Sequence, residues 1–503
     1  MFESMKKKSR LLVLLPFLFL LFLLPAPSAS DAAQYGLFAE EAVGDAIQAP
    51  ESKNEGMFKA ATRMRKVDLL PLAGKPDGLV KGDTLLLSLF PDADYTAAID
   101  RVAEDVNGTV TVRGRLAGYP LGYILISTHD GRSTASIRIP EIGKRYAIVF
   151  DAGDQSHYLL EVDPARVDKI EDAPVLIPPP MMEEEIQTRD DPVMLNQGVN
   201  DPATIDVMIV YTPAARTWAD ANGGGITLVM AQAMEKAQLV LDNSNTMVTM
   251  RLVYAQEVSY TESGNSGTDL DRLTATADGY MDEVHGWRDA YGADLVAMFT
   301  KVEDTGGIAW LLNSTSGRPA YAFSITRVQQ AKITYTHIHE MGHNMGLHHH
   351  KQQTVQPGPG LYSYSAGWRW TGTDSGRYCS VMTYASGTYF ADGLNHTQVA
   401  YYSNPDITHQ GVPTGHAADG DNARNIREIK HVIAAYRAEV PVFLPGDVNN
   451  DGVLDLDDAV MALQIAAGIS TGEIFPETDV NGDEKIGIAE AVYVLEKITG
   501  IRP

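Results

Sequence analysis

Three histidines near residue 340 have the spacing of a metal site. Residues 339–349 read His-Glu-Met-Gly-His-Asn-Met-Gly-Leu-His-His. His339 and His343 lie four positions apart, so on a helix their imidazoles share one face and can point at the same ion. His349 follows six positions later, and neutral imidazole is a good zinc ligand. The pattern predicts one zinc ion held by His339, His343 and His349.

Glu340, directly after the first histidine, adds a carboxylate beside the predicted metal. A helix over residues 329–345 would carry the motif, and Gly346 can adopt the left-handed conformation that ends a helix, so the chain can turn back and deliver His349. Three protein ligands leave one coordination position open, as catalytic zinc requires. We therefore predict that Glu340 is a general base for a water that the zinc activates.

A histidine-rich helix end without a bound metal is the alternative explanation, because further histidines crowd this region. Spacing separates the two possibilities. Only His349 follows Gly346 at the distance of the motif, whereas His337 would lie off the ligand face. The spacing therefore favours a metal site.

The segment 339–349 resembles the H-E-x-x-H-x-x-G-x-x-H motif of the metzincin zinc endopeptidases. Residues 380–384, Ser-Val-Met-Thr-Tyr, resemble the Met-turn of the same proteins. This resemblance implies that Met382 forms an apolar floor beneath the zinc ligands. It also implies a catalytic contact of Tyr384 with the metal or the reacting oxygen, for which ordinary core packing is an equal alternative.

Residues 204–438 are similar to reprolysin-like bacterial proteases, including the peptidyl-Asp metallopeptidase group. Residues 306–310 resemble the strand that borders the metzincin cleft, which implies that Gly307, Ile308 and Ala309 bind substrate by strand addition. An ordinary edge strand is the alternative. Two features differ from reprolysins: His350 stands where they usually carry Asp, and Cys379 is the only cysteine. The subfamily and any preference for aspartate in substrates therefore stay open.

The elements that must position these residues indicate several domains. Apolar strand and helix patterns alternate from residue 204 to 440, including a helix over 270–291, which predicts an α/β metzincin domain with a mixed twisted sheet and an active-site helix. Residues 31–176 are mostly β, and 177–203 form a proline-rich, acidic linker and expected processing region. We interpret 31–176 as a β-rich propeptide of a zymogen, with a permanent β-rich binding domain as the alternative. Many metzincins keep their zymogens inactive with a propeptide cysteine that binds the zinc. No cysteine precedes Cys379 in this sequence, so the resemblance implies that latency uses another ligand or burial of the cleft.

A small all-α tail, 446–503, contains two acidic loops of the EF-hand type, each followed by an apolar helix. The duplicated unit resembles a dockerin, which implies one or two calcium ions and a cohesin-like partner; a merely calcium-stabilised tail is the alternative. The second loop departs from the pattern at Glu484 and Gly487. The predicted calcium ligands are Asp447, Asn449, Asp451, Asp455 and Asp458 in the first loop, and Asp479, Asn481, Asp483 and Glu490 in the second.

Residues 1–30 have the basic start, apolar run and small residues of a secretory signal peptide, with cleavage near Ser30. We expect a secreted, extracellular protein with no membrane span after cleavage; a membrane anchor is the alternative. The formal charge of −25 argues against nucleic-acid binding. The sequence thus predicts a secreted zinc endopeptidase acting on proteins or peptides. A surface or cohesin-docked binding protein that keeps a metal site without turnover is the rival, and the intact Glu340 favours the enzyme.

Overall fold

The computed structural model describes residues 33–38, 56–70, 78–180, 198–440, 444–450, 454–469, 474–483 and 485–499. The predicted signal peptide and residues 181–197 of the predicted linker lie outside these ranges. In the parts of the chain that are described, no helix is both long enough and apolar enough to span a bilayer.

The N-terminal region is an antiparallel sheet of nine strands, as the β-rich pattern predicts. Its spatial order is β1-β3-β4-β5-β6-β7-β8-β9-β2, and only the β1–β3 pair is parallel. Alternate side chains such as Leu85 and Leu87 on β3, or Ile124 and Ile126 on β6, are buried in one core on one face of the sheet. The strands are β1 (Gln34–Gly36), β2 (Ala61–Val67), β3 (Thr84–Phe90), β4 (Ala93–Glu104), β5 (Val110–Leu116), β6 (Tyr123–His129), β7 (Arg132–Ile139), β8 (Lys144–Asp151) and β9 (Ser156–Val162), with a short helix α1 (Gly56–Lys59) before β2.

The second unit contains a five-stranded mixed sheet, in agreement with the predicted α/β class. Its order is β11-β10-β12-β14-β13, where the first four strands are parallel and the edge strand β13 is antiparallel to β14. Because both faces of the sheet are covered, β10 and β12 are almost entirely buried. The strands are β10 (Ala203–Tyr211), β11 (Val248–Glu257), β12 (Leu295–Thr300), β13 (Gly307–Ala309) and β14 (Phe323–Arg327).

The helices of this unit agree only in part with the sequence predictions. They are α2 (Pro213–Asn222), α3 (Ile226–Asn243), α4 (Ser266–Thr274), α5 (Glu283–Ala290), α6 (Val328–Ala331), α7 (Thr336–Asn344) and α8 (Asn422–Ile433). The single helix predicted over 270–291 is wrong, because the chain breaks between α4 and α5, where Gly279 and Met281 have positive φ. The helix predicted over 329–345 is also two pieces. The Thr334 hydroxyl donates to the Gln330 carbonyl and accepts the Thr336 N–H, so it bridges the end of α6 and the start of α7.

Short strands and the tail complete the described chain. Beyond α7 lie β15 (Arg369–Thr371), β16 (Arg377–Cys379), β17 (Thr397–Gln398), β18 (Thr408–His409) and β19 (Val412–Pro413). The tail holds two helices, α9 (Leu456–Ala466) and α10 (Ile488–Ile498). They share a small core that includes Val448, Ala462, Ile486 and Ala491.

The N-terminal sheet packs directly on the second unit through helix α3. Tyr123 on β6 lies in the core of the second unit, and its hydroxyl is 3.0 Å from that of Tyr335. The guanidinium of Arg113 lies 3.2 Å from the buried carboxylate of Glu235 on α3. This interface holds the N-terminal sheet beside the loop that leads into helix α7.

Candidate active site

The structure brings the three predicted histidines together in one buried cluster. His339 and His343 lie on α7, and His349 follows the turn after it. Each Nδ1 lies within hydrogen-bond distance of a backbone carbonyl, so each can donate its Nδ1–H there and keep the Nε2 lone pair for an ion. The pairs are His339 with Val381 at 2.9 Å, His343 with Leu347 at 2.9 Å and His349 with Gln356 at 3.0 Å.

The Nε2 atoms of the cluster have the separations of metal ligands. The Nε2 of His339 is 3.2 Å from that of His343 and 3.2 Å from that of His349. Two nitrogens bound to one zinc in tetrahedral geometry lie about 3.3 Å apart, because each Zn–N bond is about 2.0–2.1 Å. Both separations therefore fit nitrogens that share one zinc ion.

Burial keeps these imidazoles neutral. It lowers the pKa of His339 to about 4 and lowers the pKa values of His343 and His349 well below the usual range. A neutral imidazole is the form that binds metals, so burial holds all three side chains in that form at neutral pH.

Gly346 makes the turn that brings His349 to the other two. Its φ is +84°, in the left-handed region, and the Gly346 and Leu347 N–H groups donate to the carbonyls of His343 and Gly342. An added Cβ at Gly346 would lie 2.7 Å from Leu361 Cβ. Both the backbone conformation and the close contact therefore require glycine here.

Glu340 lies beside the imidazoles with both carboxylate oxygens unpartnered among the described residues. The side chain is fully buried, and burial, followed by the nearby Asp172 carboxylate, raises the pKa of Glu340 well above its usual range. A buried carboxylate without a hydrogen bond is costly, so such a group normally has an ion, water or ligand as partner. The carboxylate packs so closely on the backbone of Gly307 that an added Cβ at Gly307 would lie 2.5 Å from Glu340 Oε1.

Met382 and Tyr384 both lie beside the histidine cluster. Met382 is fully buried under α7, and an added Cβ at Gly342 would lie 2.7 Å from its Sδ. The ring of Tyr384 faces that of His349 at 4.8 Å between centroids. Its hydroxyl donates to the backbone carbonyl of Asp172 at 2.9 Å, and burial raises the pKa of Tyr384. Both side chains are thus part of the site wall.

The edge strand β13 borders the cluster, and a segment of the N-terminal region covers its open edge. The Ala173 N–H donates to the Gly307 carbonyl at 2.8 Å, and the Leu176 N–H donates to the Ala309 carbonyl at 2.9 Å. Leu176 also forms a parallel bridge with Trp310. The atoms that an added peptide strand would use are therefore occupied by the chain itself.

Asp172 is the site residue that the sequence patterns did not identify. Its Oδ2 is 3.8 Å from His339 Nε2, and its Oδ1 accepts a hydrogen bond from the Thr336 hydroxyl at 3.4 Å. Ligand atoms of Asp172, His339 and Glu340 all lie within 4.8 Å of one another. Burial raises the pKa of Asp172, and the nearby Glu171 raises it further. The only sequence signal was indirect, namely the need for a latency ligand other than cysteine.

The other histidines of the region do not join the cluster. The ring of His337 packs edge-on against Phe299 at 5.3 Å between centroids, away from the ligand face. The Nδ1 of His348 accepts the backbone N–H of His349 at 2.8 Å. His350, the departure from the reprolysin pattern, stacks on Trp368 at 5.5 Å.

The predicted calcium loops lie far along the chain in the tail. Asp458 accepts the backbone N–H groups of Asn449 and Asp455 at 3.1 and 2.9 Å. Glu490 closes the second loop in the same way, accepting the Gly487 N–H at 2.6 Å. Of the first loop, Asp451 falls outside the described residues. In the described ranges, the tail's carboxylates do not form a cluster of three or more like those around His339. The remaining predicted ligands in these loops are Asp447, Asp479, Asn481 and Asp483.

Comparison with known proteins points to peptidases. Residues 201–402 match the family model Reprolysin_5, described as metallo-peptidase family M12. A peptidyl-Asp metalloendopeptidase of Xanthomonas campestris is 30% identical over 82% of this chain and 92% of its own length. One from Stenotrophomonas maltophilia is 32% identical over 63% of this chain and 71% of its own length.

Two further similarities are more limited. For another Stenotrophomonas maltophilia peptidyl-Asp metalloendopeptidase, 33% identical, the match spans 53% of the relative's length and 47% of this chain. The crystal structure of metalloproteinase-II from Bacteroides fragilis matches with a TM-score of 0.36 and 13% identity, over 56% of this chain and 85% of that one.

Proposed function

Because the chain belongs to metallopeptidase family M12 and is a zinc metalloendopeptidase, we propose that His339, His343 and His349 hold the zinc and that Glu340 is the general base of peptide hydrolysis. One observation carries this proposal. Three Nε2 lone pairs converge in a buried cluster next to a carboxylate that has no partner among the described residues. The rival function, a binding protein that retains the metal without turnover, gives no reason to bury an unpartnered Glu340 there.

A zinc ion in this cluster would supply Lewis-acid chemistry: it polarises a scissile carbonyl and makes water acidic enough to lose a proton near neutral pH. The chain supplies the proton transfer. Glu340 would accept the proton of the attacking water and deliver it to the nitrogen of the leaving amine. Its neighbours Gly307 and His339 restrict where the carboxylate can lie, so the proton acceptor is held in place.

We expect substrates to bind as an added strand on β13. The carbonyls of Gly307 and Ala309 are hydrogen-bond acceptors along that edge and face the cleft, with Ile308 between them. The Tyr384 hydroxyl donates to a backbone carbonyl that lies in the cleft, that of Asp172. This supports a role for Tyr384 in donating to a substrate carbonyl or to the oxygen that gains charge during attack.

The relatives' name supports aspartate-containing peptides as the first substrates to test. We also propose that the enzyme is secreted after removal of residues 1–30. The N-terminal sheet would be a propeptide that is cut off in the linker 177–203. Its packing on α3, with Tyr123 in the core of the peptidase unit, supports its role as a folding or inhibitory partner of that unit.

We propose calcium binding by the tail, with Asp458 and Glu490 as the loop-closing carboxylates. Exposed apolar side chains recur along both tail helices at helical spacing, which supports docking of a cohesin-like partner rather than a merely structural tail. These residues are Leu456, Val460 and Leu463 on α9, and Ile488, Val492 and Leu495 on α10. Pull-down by a cohesin domain in calcium, lost in EDTA, would support docking; tail unfolding in EDTA without capture would leave only the structural role.

Cleavage assays test the proposed function. The processed enzyme should cleave casein and an aspartate-containing peptide, lose activity with a zinc chelator and recover it with added zinc. The Glu340→Gln variant should keep its zinc and lose about 100- to 10,000-fold in kcat, since it removes the general base. Zinc binding without cleavage by the wild-type processed chain would favour the rival function instead.

A further inference from the structure

Two arginines face each other on neighbouring strands of the N-terminal sheet, where that sheet meets the peptidase unit. Arg138 on β7 is directly opposite Arg145 on β8, and residues paired in this way have their side chains on the same face of the sheet. Arg138 is buried, Arg145 is half-buried, and neither forms an ion pair with a carboxylate among the described residues. Like charges placed directly opposite each other destabilise a sheet. The pair therefore lacks the negative charge that would offset its repulsion.

Two buried lysines of the peptidase unit lie near the arginines and add to the positive charge. The Lys236 ammonium on α3 donates to the Lys332 carbonyl, and the Lys332 ammonium donates to the Gly223 carbonyl at 3.1 Å. Burial, followed by the charges of the two arginines, lowers the pKa of Lys236 well below its usual range. Burial, followed by the charge of Arg138, lowers the pKa of Arg145 to about 9. Backbone carbonyls solvate the lysines but carry no net charge, so the region keeps an excess of positive charge.

The arginine pair lines a cavity of about 280 Å³ between the two units, here called the interface cavity. Its wall contains four lysines or arginines and, among the described residues, no aspartate or glutamate. A cavity can hold a water once it offers about 10–15 Å³, so the interface cavity has room for an anion with several oxygens. The peptidase unit contributes polar side chains to the same wall, among them Thr334, Thr397 and Gln398.

The uncompensated charge at the interface cavity is that of the arginines. The other two cations of the wall are already paired, Lys144 with Glu161 at 2.5 Å and Lys169 with Glu171 at 3.2 Å. A guanidinium presents a planar fork of N–H donors that binds an oxyanion through two parallel hydrogen bonds. Two such forks from one side and hydroxyl and amide groups from the other suit an anion with oxygens in several directions. A tetrahedral oxyanion has that shape.

We propose that the interface cavity binds a tetrahedral oxyanion, phosphate or sulfate, at Arg138 and Arg145, and that the bound ion strengthens docking of the N-terminal sheet on the peptidase unit. The ion supplies the negative charge that the arginine pair lacks. Because the wall comes from both units, a ligand in the cavity contacts both of them. A ligand that binds only the docked, folded chain stabilises that state by mass action.

Thermal unfolding and titration calorimetry of the full-length chain test this proposal. Phosphate and sulfate are added in separate titrations at constant ionic strength in sodium chloride, because salt alone screens the repulsion between the arginines. Concentrations stay in the millimolar range, since concentrated sulfate stabilises proteins in general. The variants are Arg145→Gln and Arg145→Lys, which keeps the charge but loses the fork. The matched control is Arg132→Gln, an exposed arginine on β7 that does not line the cavity.

We expect phosphate or sulfate to raise the melting temperature of wild type and of Arg132→Gln above its value in chloride. Arg145→Gln should bind either anion about tenfold or more weakly, as loss of a charge-assisted hydrogen bond predicts, and Arg145→Lys should also bind more weakly than wild type. In chloride alone, Arg145→Gln should unfold at a temperature no lower than wild type, because it removes one of two facing charges. An arginine with a purely structural role would give a less stable variant.

No binding of either anion to wild type, or equal affinity in Arg145→Gln, would overturn the proposal. A lower melting temperature of Arg145→Gln in chloride would contradict the repulsion from which the site is inferred. None of the predicted zinc ligands lines the interface cavity, so each of these results leaves the proposed function untouched.

Discussion

Replacing Gly307 with alanine should disable the enzyme by displacing one side chain, Glu340. An added Cβ at Gly307 would lie 2.5 Å from Glu340 Oε1, 2.6 Å from its Cγ and 2.7 Å from its Cδ. Ordinary contact begins at 3.4 Å, so the carboxyl carbon must move from 2.7 to at least 3.4 Å from the new methyl, a shift of about 0.7 Å. The backbone of β13 cannot yield easily, because it pairs with β14.

Displacement of the Glu340 carboxylate should lower kcat. A misplacement of about 1 Å in a catalytic group can cost about 100-fold, so we expect kcat of Gly307→Ala to fall between about 10- and 100-fold. Overpacking should also lower the free energy of unfolding by about 1–3 kcal/mol. Zinc content should stay the same, because the clash involves Glu340 and not the three imidazoles.

The assay is steady-state cleavage of an aspartate-containing fluorogenic peptide by the processed enzyme, with zinc content and thermal unfolding measured on the same sample. Gly286→Ala is the matched control. Gly286 lies in helix α5, and nothing lies within 4 Å of an added Cβ there. The same substitution should leave kcat unchanged and stabilise the helix by about 1 kcal/mol.

Measuring kcat and KM separately distinguishes displacement of Glu340 from weaker binding of the substrate strand to β13. If β13 alone were disturbed, KM would rise while kcat stayed constant. A Gly307→Ala enzyme that is folded, carries zinc and keeps the wild-type kcat would refute the placement of Glu340 against this strand.

Three further outcomes follow from particular contacts. Gly306→Ala should raise peptide cleavage by the full-length chain, because an added Cβ would lie 2.6 Å from Asp172 Oδ1 and push residues 170–176 away from β13. Unchanged cleavage by the full-length chain would contradict this. Gly346→Ala should lose zinc and have a free energy of unfolding about 1–2 kcal/mol lower than wild type. Alanine is strained at a φ of +84°, and its methyl group would crowd Leu361. Metal analysis and denaturant unfolding measure the two effects. Burial raises the pKa of Asp294 from 3.8 to about 7, so its contribution to stability is present below pH 3.8 and is lost as pH rises toward 7. Asp294→Asn should therefore flatten the dependence of the free energy of unfolding on pH between 3.8 and about 7. A variant with the same pH dependence as wild type would contradict this role of Asp294.

The convergence of His339, His343 and His349 could be predicted from sequence because its geometry is local. A four-residue spacing on a helix sets His339 and His343 on one face, and a glycine at the helix end sets the position of His349. The alternation of strands and helices predicted the mixed sheet for a similar reason. The spacing of apolar residues that marks each strand or helix lies within a short stretch of sequence.

Features that depend on distant contacts could not be predicted in this way. Asp172 has no motif around it, and it reaches His339 only because the N-terminal sheet packs on α3 and the chain that follows this sheet, residues 170–176, lies along β13. The breaks in the two long predicted helices were missed because an apolar repeat can continue across a turn. At the second break the Thr334 hydroxyl forms hydrogen bonds with backbone groups of both helices, a local competition that an apolar repeat does not reveal.

The most direct test of the zinc-site assignment is anomalous diffraction at the zinc edge from crystals of the processed protein. We expect one peak, bonded to the Nε2 atoms of His339, His343 and His349, with the Glu340 carboxylate beside it but not bound. A peak that leaves out His349, or no zinc peak in catalytically active crystals, would contradict the account.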